Sequence, residues 1–223
     1  MPIVYNYEEF LRYLSELESA LLLSAQQNCN GLRTDTQTSA AIYALVRATS
    51  LFRASLLLLD AGLLDACDVV RRACWEAWML GYEFRILGAG PHAARWHTDK
   101  HRHSEADIKR IKAFEASCGL AAAQYGADYG GLSEVSHPTK SAAENSIVTV
   151  TTLRGNPDSK AHRDQGREIL AHEDAPGMMY LLIWTVLAES PDMITLGITP
   201  EAIPSAASFV HEYETQNPST PTS

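Results

Sequence analysis

The sequence lacks the features that mark exported, membrane-spanning and disulfide-bonded proteins. Its N-terminal stretch has no basic region ahead of an apolar one, so we expect no signal peptide. The longest apolar stretch, Met178 to Ala188, is too short to cross a bilayer, which takes about 20 residues. No two of the four cysteines have the C-x-x-C spacing of a zinc or redox motif. These absences predict a cytoplasmic protein with reduced thiols and no membrane contact.

A surplus of positive charge is also missing. The chain has 18 Lys and Arg against 27 Asp and Glu, so its formal net charge is −9. A net acidic chain has no general attraction to a phosphate backbone or to anionic lipid. We therefore expect no DNA binding, and RNA enters only under the ribonuclease alternative described below.

The sequence does contain helical periodicity along most of its length. Apolar residues recur at three- and four-residue spacing in Tyr7 to Gln27, from near Thr34 to Leu59, and in Leu63 to Leu87. Asp60-Ala61-Gly62 joins the second and third segments, which predicts an antiparallel helical hairpin. Residues 178–188 are apolar nearly all round, so we predict that a helix there lies centrally.

The remaining segments predict only short elements. Peripheral helices are expected in parts of 91–172, interrupted by 146–153, which is the single strand-like run and forms at most a minor β-hairpin. Residues 216–223 are polar and rich in Pro and Ser, which predicts a disordered tail. We therefore predict one all-α domain, residues 1–215, built as an antiparallel helical bundle with peripheral short helices.

Five ionisable residues share one face of the third predicted helix, within about 80° at 100° per residue: Asp65, Asp68, Arg72, Glu76 and Glu83. Arg72 and Glu76 are four residues apart, so they can form an ion pair. If this stripe faces water, the pair contributes only a few tenths of a kcal/mol, whereas inward-facing charges each need a partner. The neighbouring Trp75, Trp78 and Tyr82 favour at least partial burial.

A second polar group follows later in the chain. Tyr129, Ser133 and His137 stand at four-residue steps and would form one ladder on a continuous helix. Ser133 and His137 can form a hydrogen-bonded pair. A serine hydrolase is not predicted, because a third catalytic member and a nucleophile-elbow glycine pattern are missing.

These elements together resemble an uncharacterised bacterial all-helical family, a domain of unknown function. A glycine turn, Arg72-x-x-x-Glu76 and Ser133-x-x-x-His137 follow one another here in that family's order. The resemblance covers about residues 40–140. It implies that Arg72, Glu76, Ser133 and His137 converge in one polar cluster between helices.

More distantly, the arrangement is similar to the HEPN superfamily of helical bundles, many of which are metal-independent ribonucleases of toxin–antitoxin and phage-defence systems. Their signature is an Arg followed at short spacing by a His, and both residues act on the RNA phosphate and 2′-hydroxyl. Arg167 to His172 is the match most like that signature, whereas His137 has no upstream Arg at the required spacing. The resemblance therefore implies an alternative function, a toxin-type endoribonuclease with Arg167 and His172 as its catalytic pair.

A cluster of histidines suggests a third hypothesis. His97 and His101 are four residues apart, which would place two metal ligands on one helix face. Lys100 and Arg102 lie among them, as on a solvated surface, and no H-E-x-x-H motif is present. The corresponding function is a metal-dependent hydrolase; otherwise we expect no metal and no cofactor.

The leading hypothesis is different from both enzymes. A helical bundle with long apolar faces and one charged stripe is typical of a non-catalytic interaction or regulatory module. We expect such a module to form a homodimer or higher oligomer, or to bind a protein partner, in bacterial defence or stress.

Overall fold

The computed structural model describes residues 7–28, 37–61, 63–86, 174–191 and 193–217. These residues form five α-helices and one short 3₁₀ turn, and none of them is in a strand. The predicted all-α fold is therefore confirmed for the part of the chain that the structure describes.

The first four helices lie close to the positions that the apolar pattern predicts. In chain order they are α1 (Tyr7–Asn28), α2 (Gln37–Asp60), α3 (Leu64–Ile86), α4 (Asp174–Leu187) and α5 (Pro204–Gln216), with the 3₁₀ turn Pro200–Ala202 ahead of α5. Two acidic residues occupy the first turn of α1, where they complement the helix dipole. Pro204 is the first residue of α5. Proline is favoured at this position because the first backbone amides of a helix have no acceptor within the helix, so its missing N–H is not needed.

Helices α2 and α3 form the predicted antiparallel hairpin. At its closed end, the Leu63 amide donates to the Leu58 carbonyl oxygen at 2.8 Å. At its open end, Gln37 Nε2 donates to the Phe84 carbonyl oxygen at 2.6 Å. The first residue of α2 thus lies beside the last turn of α3, which gives the antiparallel order.

The hairpin is tightly packed where Gly81 of α3 meets Leu45 of α2. A Cβ atom at Gly81 would lie 2.7 Å from Leu45 Cγ and 3.3 Å from the Leu45 backbone nitrogen. Both distances are too short for an ordinary contact, and the second involves backbone that cannot rotate away. Glycine is required here because the two helix backbones approach so closely.

Helix α4 lies in the core, as its apolar composition predicts. Its buried side chains point in all directions around the helix: Met178, Met179, Tyr180, Leu182, Ile183, Trp184, Thr185 and Val186. The hydroxyl of Thr185 is satisfied within this core, because Trp78 Nε1 donates to Thr185 Oγ1 at 2.9 Å and Thr185 Oγ1 donates to the Leu181 carbonyl oxygen at 2.6 Å. This contact fixes α3 against α4.

Helix α1 supplies the N-terminal cap of α5. Ile203, the residue before α5, has no side chain that can accept from the first backbone amides. Instead, Glu16 Oε2 of α1 accepts from the amides of Ser205 at 2.9 Å and Ala206 at 3.1 Å. Ser24 of α1 also donates to the Leu196 carbonyl oxygen at 2.5 Å, so α1 holds the segment that leads into α5.

Helix α2 is long and apolar enough to cross a membrane, judged by length and composition. It has 24 residues and a mean hydropathy of 1.5 over its most apolar window, half of which is buried inside the bundle. Arg47 and Arg53 interrupt its apolar residues, so α2 contains no uninterrupted apolar stretch as long as residues 178–188. Core helices of soluble proteins pass the same test, so this feature alone assigns no membrane contact.

Several predictions concern residues that the structure does not describe. The short helices expected within 91–172, the minor hairpin at 146–153 and the tail after Asn217 lie outside the described residues. The single domain over 1–215 therefore stays a prediction.

Candidate functional site

Arg72 and Glu76 form the ion pair that their spacing predicts. Arg72 Nε donates to Glu76 Oε1 at 3.2 Å, and the two side chains are 20% and 41% exposed. One turn earlier, Arg71 and Asp68 form a second pair at 3.8 Å, also within α3. The charged stripe in this part of α3 is thus half-buried. It neither faces water fully nor points fully inward, which were the two alternatives from the sequence.

The fully buried charges of α3 lie in its last turns. Glu83, the final member of the predicted stripe, is 0% exposed, and Arg85 is 2% exposed. Arg85 lies about 220° around the helix from Arg72, on the face opposite the stripe. Arg85 is therefore not part of the predicted stripe, although an arginine next to Phe84 in an apolar helix end is itself a signal of burial.

Arg85 joins α3 to the segment that follows α4. Its Nη2 donates to the Ala188 carbonyl oxygen, and its Nε donates to the Ile194 carbonyl oxygen at 3.2 Å. The Arg85 carbonyl oxygen accepts in return from the Ile194 amide at 3.1 Å. The guanidinium therefore lies at the C-terminal end of α4, where a cation is favoured by the helix dipole and caps an open carbonyl.

The electrostatic environment of Arg85 is unusual for an arginine. Burial lowers its pKa to about 10, and the nearby Glu189 carboxylate opposes that shift. The group remains charged at neutral pH. Its Nη1 atom is buried and has no hydrogen-bond acceptor in the structure, so part of the guanidinium is left unsatisfied.

An open cleft of about 340 Å³ adjoins Arg85. It is lined by Arg85 and by residues 188–191 and 193–195. The walls are mixed: Ser190 and Thr195 bring hydroxyl groups, while Pro191 and Met193 bring apolar surface. A small concave space with a few polar groups is the usual form of a ligand pocket.

The two thiols of α3 are not activated as nucleophiles. Cys67 and Cys74 are buried at 0% and 1% exposure. Burial raises the pKa of Cys67 to about 12, and it raises the pKa of Cys74 still further. Both groups are therefore protonated at neutral pH, and neither has the lowered pKa that a nucleophilic cysteine needs.

The other predicted site residues lie outside the described ranges: Ser133, His137, Arg167, His172, His97 and His101. The convergence of Ser133 and His137 with Arg72 and Glu76 therefore stays a prediction, as do the ribonuclease pair and the two histidine ligands. Among the residues that the structure does describe, no group of three or more His, Cys, Asp or Glu side chains could hold a metal ion.

Comparison with known proteins adds no assignment. No protein-family model, curated protein or solved structure matches this chain.

Proposed function

We propose that this chain is a non-catalytic helical-bundle module that acts by pairing with a second copy of itself through the closed end of the α2–α3 hairpin. One observation carries the proposal. Among the positions whose exposure the structure describes, the exposed ones nearest that end are all aliphatic: Leu57 on α2, Ala61 just after α2, and Ala66 and Val69 on α3. We call these four residues the hairpin surface; Leu57 is 51% exposed and Val69 is 47% exposed.

All four residues lie within about two helical turns of the closed end of the hairpin. Ala61 follows α2, and its amide donates to the Leu57 carbonyl oxygen at 3.0 Å, so these two residues share a face. Ala66 and Val69 are three residues apart on α3 and also share a face. The turn between the helices is short, since Leu63 already bonds back to Leu58. Isolated exposed aliphatic residues are ordinary, but a group of them at one end of a hairpin is typical of a protein contact surface.

The surface of α5 provides the contrast. Apart from Pro204 and Ala202 at its entry, its exposed positions are polar: Ser208, His211, Glu212, Thr215 and Gln216. Such a face is what a water-exposed helix normally shows. The hairpin surface departs from that pattern within the same bundle.

The charges next to the hairpin surface favour a second copy as the partner. The Arg71–Asp68 and Arg72–Glu76 pairs place both signs of charge on α3, partly exposed, just beyond Val69. In a two-fold dimer the same patch faces itself, so a patch with both signs of charge can place acidic groups of one copy opposite basic groups of the other. A partner of uniform charge would gain less from this pattern. A cytoplasmic role in bacterial defence or stress belongs to the same proposal.

Sedimentation of the full chain over a wide concentration range tests the proposal. We expect a monomer–dimer equilibrium for the unmodified protein and a monomer for the Leu57→Glu/Val69→Glu variant, because four carboxylates would enter the dimer interface. Leu22→Glu/Leu23→Glu is the matched control, since both leucines are 53% exposed on α1, away from the hairpin end. The control should still dimerise. A monomer at every concentration, or equal loss of dimer in both variants, would contradict the proposal.

A further inference from the structure

Residues 194–199, between α4 and the 3₁₀ turn, have the burial pattern of a β-strand although they belong to no sheet. Leu196 and Ile198 are buried, whereas Thr195 and Gly197 are exposed. An extended chain shows this alternation when one of its faces packs on a core. In the part of the chain that the structure describes, no neighbouring strand pairs with these residues. We call residues 194–199 the extended segment.

One side of the extended segment is attached to the bundle. The Ile194 amide donates to the Arg85 carbonyl oxygen at 3.1 Å, and the Ile194 carbonyl oxygen accepts from Arg85 Nε at 3.2 Å. The Leu196 carbonyl oxygen accepts from Ser24 Oγ on α1. Successive residues of an extended chain present their N–H and C=O groups to opposite sides. Helices α3 and α1 therefore occupy the side that Ile194 and Leu196 face.

The opposite side of the extended segment is open. Neither Thr195 nor Gly197 forms a hydrogen bond through its backbone within the described residues. Because Gly197 has no side chain, its exposure is exposure of the backbone itself, and a Cβ there would meet open space. Its φ of 68° ends the regular strand geometry, so the free edge is short and centred on Thr195. Free edges of this kind pair readily with another extended chain.

The cleft beside the end of α4 adjoins this free edge. Thr195 also lines the cleft of about 340 Å³, together with Pro191 and Met193. A chain that pairs with Thr195 therefore lies beside the cleft and has one side chain within reach of it. The apolar surface of Pro191 and Met193 suits an aliphatic side chain.

The exposed charges around the edge are acidic. Residues 173–210 contain no Lys, Arg or His but five Asp and Glu. Two of these, Glu189 and Glu201, precede and follow the extended segment and are both exposed. Among the described residues, Arg85 is the one cation that lines the cleft, and it is only 2% exposed. Charge complementarity thus favours a basic partner over an acidic one.

We propose that the free edge and the cleft bind an extended basic peptide of a partner protein by strand addition. The peptide backbone pairs with Thr195, one aliphatic side chain enters the cleft, and flanking lysines face Glu189 and Glu201. In this mode the main-chain hydrogen bonds supply affinity, and alternate side chains supply specificity. The hairpin surface takes no part, so each copy of a dimer has its own peptide site.

Fluorescence anisotropy of the full chain with labelled heptapeptides tests this. The parent peptide alternates valine and threonine between two terminal lysines. Two derivatives carry N-methyl groups, one on the valines and the other on the threonines. Only alternate amides of the peptide face Thr195, so we expect one derivative to bind roughly tenfold more weakly or worse and the other to bind like the parent. A third peptide with glutamate for lysine should also bind roughly tenfold more weakly, and added salt should reduce that difference.

A pair of substitutions at one position locates the edge. Thr195→Pro removes the amide donor, whereas the matched control Thr195→Val keeps it and changes only an exposed side chain. We expect Thr195→Pro to weaken binding of the parent peptide roughly tenfold or more and Thr195→Val to leave it unchanged. Circular dichroism must show that both variants are folded; the comparison of peptides on the unmodified protein does not depend on them.

Three results would overturn the proposal. They are absence of binding by the parent peptide, equal effects of N-methylation on the valines and on the threonines, and unchanged binding by a folded Thr195→Pro variant. Equal binding of the lysine and glutamate peptides would overturn the choice of a basic partner. None of these results would affect the sedimentation experiment, so the two proposals fail separately.

Discussion

Helix α3 carries two sets of charges that behave differently, although they lie on one continuous helix. Arg72 and Glu76 pair with each other across a single turn and remain partly exposed. Arg85, three turns later, is buried and donates to carbonyl oxygens more than a hundred residues away in the chain. The first arrangement needs only the helix; the second exists only when α4 and the following segment are in place.

This difference shows what decides the role of a charged residue in a bundle. Helical spacing brings Arg72 and Glu76 together, but solvent reduces the energy of their attraction. The Arg85 guanidinium instead donates to backbone carbonyl oxygens at and after the C-terminal end of another helix, α4. The contribution of a charge to stability therefore follows from the element packed against it more than from the local pattern.

The largest expected effect comes from removing the buried group. We expect Arg85→Ala to lower the free energy of unfolding by about 3 kcal/mol, because it leaves the Ala188 and Ile194 carbonyl oxygens without their donor and removes a large buried side chain. Arg72→Ala on the same helix is the control and should cost about 0.5 kcal/mol or less. Urea unfolding followed by circular dichroism measures both. Equal effects would mean that the contrast between the two sets of charges is wrong.

A smaller effect is expected where the second half of α3 packs on α2. Gly81→Ala places a methyl group 2.7 Å from Leu45 Cγ, and this overpacking should exceed the gain in helix propensity, for a net loss of about 1–2 kcal/mol.

Gly177→Ala in α4 is the matched control for that substitution. Among the described residues, the only atom within 4 Å of its new methyl group is Tyr213 Oη at 3.6 Å, an ordinary contact. Alanine should therefore stabilise the protein there, by up to about 1 kcal/mol. Thermal unfolding should therefore give a lower melting temperature for Gly81→Ala and a higher one for Gly177→Ala than for the unmodified protein. A raised melting temperature of Gly81→Ala would show that α2 and α3 separate easily at Gly81.

The helices themselves could be predicted because apolar spacing is a local property of the sequence. The bounds of α1 to α3, the turn near Gly62 and the central position of α4 all follow from patterns within some twenty residues. The Arg72–Glu76 pair follows from spacing in the same way. Its exposure could not be read from the sequence, since that depends on what lies opposite.

The features that the sequence argument missed all join distant segments. Arg85 lies on the face opposite the charged stripe, and its acceptors follow α4. Glu16 caps α5 from α1, where no capping residue at Ile203 gives a local signal. Each of these contacts satisfies the open end of one helix with the side chain of another. Composition and periodicity carry no information about such pairings.

The smallest effect is expected at the Arg72–Glu76 pair, which is the partly exposed set of charges in the comparison with the buried Arg85. A double-mutant cycle with Arg72→Ala and Glu76→Ala should give a coupling energy of about 0.3–0.5 kcal/mol that falls as salt is added, because the pair is partly exposed. A coupling above about 1 kcal/mol that salt leaves unchanged would contradict this expectation. It would mean that another part of the chain excludes water from the pair, as the predicted cluster with Ser133 and His137 requires. In that case His137→Ala should lower the coupling, whereas a pair that only solvent surrounds should not respond to that substitution.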